Sequence, residues 1–462
     1  MEVRLFGAGK TVTGSCYGLK AKADRILIDC GMFQGNKRVE KWNYDPFIFD
    51  PKFYQAVILT HAHLDHCGRI PKLIKEGFKG KIYCTEVTKE LAYIVMMDAA
   101  KISSHDVAYE NEKRAEKKLP PREPIYEESD VNEAIKRFVT INYHEPVQIT
   151  KNIIAKFYEA GHILGAASIQ LYITEGNRKI KVAFSGDLGQ TGTPIVRSHD
   201  VITEADYVFV ESTYGDRLHE EMGERRNKLL NIIRETCKKG GKLLIPSFAI
   251  ERAQELLYDL NALVEKNLIP KIPIFIDSPM AIRATEVFKN HPEFYNKEVK
   301  QLLESGDNPF SFPGLVYTKT VQESKDINLV KGSCIIIAGS GMCTAGRIKH
   351  HIKNYIDDPK NTILFVGYQV EGTLGYWIKK GEKRVRLLGT EVSVNAKVES
   401  IDSFSGHADY EDLLDWMRHF NPKPKKVFIT HGDERSAKSF EEKLQKRDFI
   451  TYIPDMKEKL VL

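Results

Sequence analysis

Residues 56–66 read AVILTHAHLDH, and this stretch decides the fold. Residues 56–60 are apolar or β-branched and predict a buried strand. The strand runs directly into residues 61–66, HAHLDH, which place three histidines and one aspartate in a single short loop. Neutral imidazole and carboxylate groups are ligands that zinc takes in proteins. A lone histidine is more often a core residue, but burying this whole group without a partner would be costly. We therefore interpret the loop as part of a metal site.

One short loop cannot supply enough ligands for two metal ions, so further ligands must come from elsewhere in the chain. His162 lies in the segment EAGHILG, Asp187 ends the segment FSGD, and His431 follows the segment FIT in FITHG. Each of the three comes after an apolar strand and beside a glycine, which is where binding residues tend to sit. Each signal is weak alone, but together with residues 61–66 they predict one metal-binding set.

The pattern changes from residue 207, where apolar strands begin to alternate with helices. Strands are predicted near 243–245, 274–276, 335–337 and 363–366, with helices near 249–263, 281–288 and 347–356. Repeated strand–helix–strand units predict a parallel sheet covered on both faces. A chain of 462 residues also exceeds the size of one usual core. We predict a first domain over 1–206 that is completed by 386–462, and an inserted domain over 207–385.

Composition excludes several classes of protein. The 68 basic and 63 acidic residues give a net charge of +5, too mild for a domain that coats nucleic acid. The seven cysteines include no CxxC pair, and the N-terminus shows no secretory signal, so reduced thiols and a cytoplasmic location are expected. No apolar run approaches the ~18 residues of a membrane span, so no membrane partner is expected.

Taken together, these motifs resemble the metallo-β-lactamase superfamily, whose HxHxDH motif matches residues 61–66. The middle block resembles the β-CASP insertion of the branch that processes nucleic acids. The matching segments are VESTYG (210–215), IPSFAIERAQE (245–255), GSGM (339–342), EGTLG (371–375), SGHADY (405–410) and THGDE (430–434). The resemblance covers essentially the whole chain and is closest to polyadenylation-endonuclease-like ribonucleases. It implies an α/β fold: an αββα sandwich with an inserted parallel sheet flanked by helices.

The resemblance also implies which residues bind metal. The first zinc ion would be held by His61, His63 and His162, and the second by Asp65, His66 and His431, with Asp187 bridging the two. Asp29 matches the family's first motif and would orient a ligand histidine. The alternative for Asp29 is a turn-forming residue before Cys30 and Gly31.

Asp65, Glu211 and His407 are the candidate catalytic side chains. Glu211 and His407 match motifs peculiar to the branch. By that resemblance, His407 would contact the scissile phosphate or protonate the leaving oxygen, and Glu211 would orient His407 through a hydrogen bond. The alternative for His407 is an ordinary residue of a Ser-Gly-His turn.

Phosphodiester hydrolysis explains why such a set is needed. Two cations about 3.5–4 Å apart can hold a bridging hydroxide as the nucleophile and neutralise charge on the phosphate. The leaving oxygen also needs an acid. Backbone N–H groups of the turn at 339–341 could bind phosphate, although a strand-to-helix turn needs glycine anyway. The candidate substrate-binding residues are Ser247, Arg252, Ser278, Ser340 and Gly341.

The predicted function is a zinc-dependent ribonuclease with two zinc ions per chain. DNA-repair members of the family carry valine at the position of His431, so the histidine favours RNA, and single-stranded RNA is expected. The resemblance implies an endonuclease, with 5′-to-3′ exonuclease activity and a homodimer as further expectations. One alternative is a metallo-hydrolase of a small ester or thioester, which the inserted domain disfavours. The other is a non-catalytic RNA-processing subunit, which seven intact ligand positions disfavour.

Overall fold

The computed structural model describes residues 1–462, apart from the side chain of residue 37. The strands are, in chain order, β1 (Glu2–Leu5), β2 (Tyr17–Ala21), β3 (Asp24–Ile28), β4 (Ala56–Ile58), β5 (Lys81–Cys84), β6 (Phe138–Thr140), β7 (Val147–Thr150), β8 (Ile153–Glu159), β9 (Ala167–Glu175), β10 (Arg178–Phe184), β11 (Tyr207–Glu211), β12 (Leu243–Pro246), β13 (Ile274–Ile276), β14 (Leu315–Tyr317), β15 (Ile335–Ala338), β16 (Thr362–Phe365), β17 (Arg384–Leu387), β18 (Thr390–Ser393), β19 (Lys397–Ser400), β20 (Lys426–Thr430), β21 (Thr451–Tyr452) and β22 (Lys459–Val461).

The helices are α1 (Lys37–Glu40), α2 (Leu64–Cys67), α3 (Ile70–Lys75), α4 (Glu86–Glu116), α5 (Glu128–Ile135), α6 (Met222–Lys238), α7 (Arg252–Glu265), α8 (Pro279–Asn290), α9 (Lys297–Glu304), α10 (Val321–Asp326), α11 (Ile348–Tyr355), α12 (Leu374–Lys379), α13 (Tyr410–Arg418) and α14 (Glu434–Gln445). Within the described residues, none of these helices combines the length and the apolar character that crossing a membrane requires.

The first of two compact units comprises residues 1–191, 198–218 and 407–462. It contains two seven-stranded sheets, with the strand orders β22-β1-β2-β3-β4-β5-β6 and β21-β20-β11-β10-β9-β8-β7. Alternate side chains of a strand point to opposite faces, and one apolar face of each sheet contributes to a shared buried cluster. Ile28 in the first sheet and Leu171 in the second belong to that cluster. Helix α4 packs near β6 and helix α14 near β20. The predicted αββα sandwich is confirmed.

The second compact unit comprises residues 192–197 and 219–406. Its six-stranded sheet has the order β14-β13-β15-β12-β16-β19, and every pairing in it is parallel. Strands β17 and β18 form a separate antiparallel hairpin. Buried residues of β12, β15 and β16 pack with Ile348 and Ile352 of α11 in a core cluster of this unit. The predicted parallel sheet with alternating helices is confirmed.

The compact units divide the chain at other positions than the predicted 206/207 and 385/386. Strand β11 pairs in parallel with β10 and β20, so it belongs to the first unit. Strand β19 pairs with β16, so the second unit extends to residue 406. Whether domains end at the positions predicted from the sequence, 206/207 and 385/386, stays a prediction.

The ends of five strands in the first unit carry the residues singled out from the sequence. Strand β4 is followed by His61, β8 by His162 and β10 by Asp187, while β11 ends at Glu211 and β20 is followed by His431. Strand β4 lies in one sheet and the other four lie in the second sheet. The site is therefore built where both layers of the sandwich end.

Candidate metal centre

The loop at residues 61–66 is held by the backbone just before β2 and just after β3. The N–H of Ser15 donates to the carbonyl of Asp65, and the N–H of Cys30 donates to the carbonyl of His66, each at 2.8 Å. Gly31 allows the close approach, because a Cβ there would lie 1.5 Å from the Asp65 carbonyl oxygen. The loop then closes into the single helical turn α2. These contacts fix the direction in which the ligand side chains point.

The first ligand cluster consists of His61, His63, His162 and Asp187. The Nδ1 atom of His63 lies 3.1 Å from Nε2 of His61 and 3.0 Å from Nε2 of His162. The Oδ2 atom of Asp187 lies 3.5 Å from Nε2 of His61 and 3.7 Å from Nε2 of His162. Three ring nitrogens and one carboxylate oxygen therefore converge, which is a donor set suited to zinc.

The second ligand cluster consists of Asp65, His66 and His431. The Nε2 atoms of His66 and His431 lie 3.2 Å apart. The Oδ2 atom of Asp65 lies 3.4 Å from Nε2 of His431 and 3.9 Å from Nε2 of His66. Asp187 reaches this cluster too, since its Oδ2 atom is 3.3 Å from Nε2 of His66. One carboxylate thus lies between both clusters, as a bridging ligand must.

The environment of Asp187 tests whether metal ions fit. Its side chain is 1% exposed, and neither carboxylate oxygen has a hydrogen-bond partner among the described residues. A buried carboxylate in this state is costly unless cations compensate its charge. Burial alone would raise the pKa of Asp187, but His431, His66 and His61 hold that pKa well below its ordinary value. The residues fit a metal centre in which bound cations would compensate the charge of Asp187.

The protonation states of the first cluster also favour metal binding. Burial lowers the pKa of His61 well below its ordinary value and lowers the pKa of His63 to about 4. Both rings are therefore neutral at pH 7. Neutral imidazole and ionised carboxylate are the forms that coordinate metal, so no proton has to be displaced from these histidines on binding.

Asp29 lies beside a histidine of the second cluster. Its Oδ2 atom is 2.8 Å from Nδ1 of His66, so the other ring nitrogen of His66 is left to face the second cluster. Burial alone would lower the pKa of His66, but the carboxylates of Asp187 and Asp29 outweigh burial and raise it. Thr60, which sequence reasoning did not predict, contacts the same carboxylate. The sequence signal that could have pointed to Thr60 is its position between a buried strand and residues 61–66.

Glu211 and His407 form a pair beside the first cluster. Nδ1 of His407 lies 3.3 Å from both carboxylate oxygens of Glu211 and 3.8 Å from Oδ2 of Asp187. Glu211 is held in turn by the N–H groups of Leu188 at 2.7 Å and Thr213 at 3.3 Å. Burial alone would lower the pKa of His407, but Glu211 and then Asp187 outweigh it and raise that pKa. The pair can hold a proton beside the metal ligands.

The predicted substrate-binding residues all lie in the second unit. Ser247, Ser278 and Ser340 follow β12, β13 and β15, and therefore share the carboxyl edge of the parallel sheet. Ser278 caps α8 by accepting from the N–H of Ala281 at 3.2 Å. The Oγ atom of Ser340 accepts from the N–H groups of Thr344 and Ala345. Their role in substrate binding stays a prediction.

The other two predicted substrate residues, Arg252 and Gly341, are in close contact with residues of the same unit. Arg252 is only 4% exposed, and its guanidinium donates to Glu255 and to the carbonyl of Phe404, both at 2.7 Å. A Cβ on Gly341 would lie 2.6 Å from the ring of Phe248. Gly341 is tightly packed and Arg252 forms an internal ion pair. The role of both residues in substrate binding stays a prediction.

Three family profiles match the chain in succession. The metallo-β-lactamase superfamily profile matches residues 9–230. The β-CASP domain profile matches residues 253–378. A profile described as the Zn-dependent metallo-hydrolase RNA specificity domain matches residues 391–454.

Several curated proteins are similar over nearly the whole chain. Ribonuclease TTHA0252 of Thermus thermophilus is 40% identical, with 94% of each chain covered. An RNase J-like protein of Methanocaldococcus jannaschii is 34% identical over 95% of this chain and 94% of its own. The transcription termination factor FttA of Methanosarcina mazei is 32% identical over 95% of this chain and 68% of its own. A solved structure of a protein of unknown function from Enterococcus faecalis matches the fold at a TM-score of 0.53 and 14% identity.

Proposed function

The chain belongs to the β-CASP branch of the metallo-β-lactamase superfamily, and from that membership we propose that it is a metal-dependent ribonuclease that hydrolyses RNA phosphodiester bonds. Two of its relatives, each similar over almost their whole length, are named as a ribonuclease and as RNase J-like. Part of the chain also matches the RNA specificity domain of zinc-dependent metallo-hydrolases.

One observation carries the proposal. The buried Asp187 belongs to the first ligand cluster and lies 3.3 Å from His66 of the second, and the Glu211–His407 pair lies against that same carboxylate. Phosphodiester hydrolysis needs compensation of charge on the phosphate and a proton for the leaving oxygen. Metal ions in the two clusters would compensate the charge, and the Glu211–His407 pair would supply the proton. A scaffold protein would need neither.

When bound, two zinc ions would supply Lewis acidity toward the phosphate and lower the pKa of water, which makes it nucleophilic at neutral pH. His407 keeps one ring nitrogen on Glu211, so its Nε2 atom is the one that donates a proton to the leaving oxygen. Glu211 stabilises the charged ring, and the two backbone N–H groups that hold Glu211 keep its carboxylate in place. Glu211 therefore positions the acid, and His407 delivers the proton.

The proposal includes finer expectations. Zinc is the metal that the histidine-rich clusters suit, and two ions per chain match the two clusters. Single-stranded RNA is the proposed substrate, cut internally, with 5′-to-3′ exonuclease activity and a homodimer carried over from the resemblance. The cytoplasm is the proposed location, because all seven cysteines are free and reduced thiols suit it.

The test compares three substrates on one preparation of zinc-loaded protein. Labelled single-stranded RNA, single-stranded DNA of the same sequence and a chromogenic ester are incubated with the native chain, Asp65→Ala and His431→Ala. We expect RNA cleavage by the native chain and its loss in both variants. RNA cleavage that survives in both variants would point to a contaminating nuclease, and turnover of the ester alone would sink the ribonuclease proposal.

A further inference from the structure

Thr60 is the last residue before the histidine loop, and its hydroxyl is buried among the groups that support the metal ligands. Thr60 is 1% exposed, and Asp29 beside it is also 1% exposed. The Oγ1 atom of Thr60 lies 2.9 Å and 3.1 Å from the two carboxylate oxygens of Asp29. The same Oγ1 atom also lies 3.1 Å from Nδ1 of His61 and 3.4 Å from Nδ1 of His66. The hydroxyl therefore lies between a carboxylate and a metal ligand.

The number of available protons decides the direction of these hydrogen bonds. An ionised carboxylate only accepts, so the single hydroxyl proton of Thr60 is donated to Asp29. The oxygen of Thr60 can then only accept. The Nδ1–H of His66 has a nearer acceptor in Oδ2 of Asp29, at 2.8 Å against 3.4 Å. The donor to Thr60 is therefore His61, whose Nδ1 atom must carry the ring proton. The Nε2 atom of His61 is thereby left with its lone pair, and it is the atom that faces the first ligand cluster. Thr60 thus selects the tautomer of His61 that can bind metal.

Asp29 orients a histidine of the second cluster at the same time. Its Oδ2 atom accepts from Nδ1 of His66 at 2.8 Å, and its Oδ1 atom accepts from the N–H of Thr60 at 2.8 Å. The backbone of Asp29 has a φ of 59°, in the left-handed region that side chains other than glycine seldom adopt. Such a conformation persists only where surrounding contacts hold it. These contacts supply that restraint and turn the carboxylate toward His66 and Thr60.

We infer that Thr60 is a positioning residue that couples the two metal sites: through its hydroxyl, the single carboxylate of Asp29 orients His61 of the first site as well as His66 of the second. The inference rests on the metal centre of the proposed function. Groups that hold a ligand histidine by its second nitrogen commonly change metal affinity by about 10–100-fold when they are removed. The effect of Thr60 should fall on one site, whereas the effect of Asp29 should fall on both.

The test measures the affinity of each site for zinc by competition with a chromogenic chelator, and needs no RNA. Thr60→Val keeps the shape of the side chain but removes the hydroxyl, and Thr60→Ser restores it. Asp29→Asn removes the shared carboxylate. Thr236→Val is a matched control, because Thr236 is also buried and hydrogen-bonded, with its hydroxyl donating to Ile232 at 2.8 Å in the second unit. Circular dichroism checks that each variant is folded.

We expect Thr60→Val to weaken one zinc site about tenfold and leave the other near its native affinity. Thr60→Ser and Thr236→Val should bind both ions as the native chain does, and Asp29→Asn should weaken both sites. Nitrogen NMR of labelled histidine should show a loss of the Nδ1–H tautomer of His61 in Thr60→Val without metal. If the valine variant does not fold, the zinc affinities of the serine variant decide the test instead.

Native zinc affinity at both sites of Thr60→Val would overturn the inference and leave the metal centre intact. Equal weakening of both sites in Thr60→Val would also overturn it, because Thr60 would then not act through His61. If valine does not fold, weakened binding in Thr60→Ser would overturn it. Failure of the native chain to bind two zinc ions would instead reject the metal centre itself.

Discussion

Asp187 lies against both ligand clusters, since its Oδ2 atom is 3.5 Å from Nε2 of His61 and 3.3 Å from Nε2 of His66. Asp187→Asn removes the shared charge at nearly constant volume, so both sites should lose zinc together. Elemental analysis of the purified variant is expected to find far less than one zinc per chain. Asp216→Asn is the control. Asp216 lies in the same unit and its side chain is also largely buried, but it forms an ion pair with Arg217 and belongs to neither ligand cluster. Full zinc content in Asp187→Asn would contradict its bridging role.

His407 should separate catalysis from metal binding. It is not one of the seven predicted metal ligands, and its Nδ1 atom is 3.3 Å from Glu211. His407→Ala is therefore expected to retain two zinc ions but to cleave RNA about 10²–10⁴-fold more slowly, because general acid catalysis contributes about that much. Steady-state kinetics with parallel zinc analysis checks this. A variant that cleaves normally, or one that loses its zinc, would rule out the role of proton donor.

Some residues of the site could be predicted from sequence and others could not, for a physical reason. The predicted ligands His61, His63 and His66 stand out because several side chains of metal-binding type share one loop. Thr60 carries an ordinary hydroxyl, whose importance depends on Asp29, a residue 31 positions away. Arg252 is a predicted substrate residue, and its contact with a carbonyl 152 positions away could not be read from the sequence. Long-range partners of common side chains leave no local signal.

At the scale of elements, Gly31 allows the end of β3 to approach the turn α2. A Cβ there would lie 1.5 Å from the Asp65 carbonyl oxygen, a distance that only a backbone shift can relieve. Gly31→Ala should therefore destabilise the chain by about 3 kcal/mol or more and weaken zinc binding. Gly223→Ala is the control, since a Cβ at that helical position meets nothing within 4 Å. Urea unfolding measures the stability of each variant, and chelator competition measures its zinc affinity. Native values of both for Gly31→Ala would show that the loop can shift to accept a methyl group.

Asp277 ties the end of β13 to α11 in the second unit. Its carboxylate lies 2.7 Å from the guanidinium of Arg347 and 2.7 Å from Nε2 of His351. Burial alone would raise the pKa of Asp277, but hydrogen bonds from His351, Ser324, Thr318 and Arg347 hold it well below its ordinary value. The charged form therefore stabilises the folded state above the unfolded-state pKa of about 3.9. That stabilisation is lost as the pH falls toward the lowered pKa.

The pH dependence of one variant tests this role of Asp277. Asp277→Asn should cost about 3 kcal/mol at pH 7, because it leaves the buried His351 and the partly exposed Arg347 without their carboxylate. The difference between the native chain and the variant should shrink as the pH falls below about 4. Chemical unfolding of both proteins across that range measures it. A difference that stays constant with pH would show that the carboxylate is not stabilised in its charged form.

Element type was easier to predict than strand pairing. The alternation of apolar strands and helices from residue 243 onward is a local pattern, and it yielded the parallel sheet. Strand β11 has the same apolar character, yet it pairs with β10 and β20 of the other unit. Strand pairing joins residues more than 200 positions apart in this case, so a buried strand carries no local mark of its neighbours.

At the scale of the whole molecule, the chain comprises two compact units with separate apolar clusters. One cluster joins the two seven-stranded sheets of the first unit, and another joins the parallel sheet of the second to α11. All seven predicted metal ligands belong to the first unit. Units with their own cores can unfold in separate steps, so a single midpoint need not describe the whole chain.

Removal of the metal should therefore lower the unfolding temperature of one step and not the other. Ions that bind only the folded state stabilise it by RT ln(1 + [L]/Kd), about 4 kcal/mol when the ion is present at a thousand times its Kd. A chelator removes that contribution from the first unit, whereas Asp277→Asn should lower the step that belongs to the second unit. Differential scanning calorimetry of the native chain and of Asp277→Asn, each with and without chelator, gives four traces in which the two shifts should fall on different transitions. If the chelator and the substitution displaced the same transition, the two units would unfold as one, and metal binding would stabilise the second unit as much as the first.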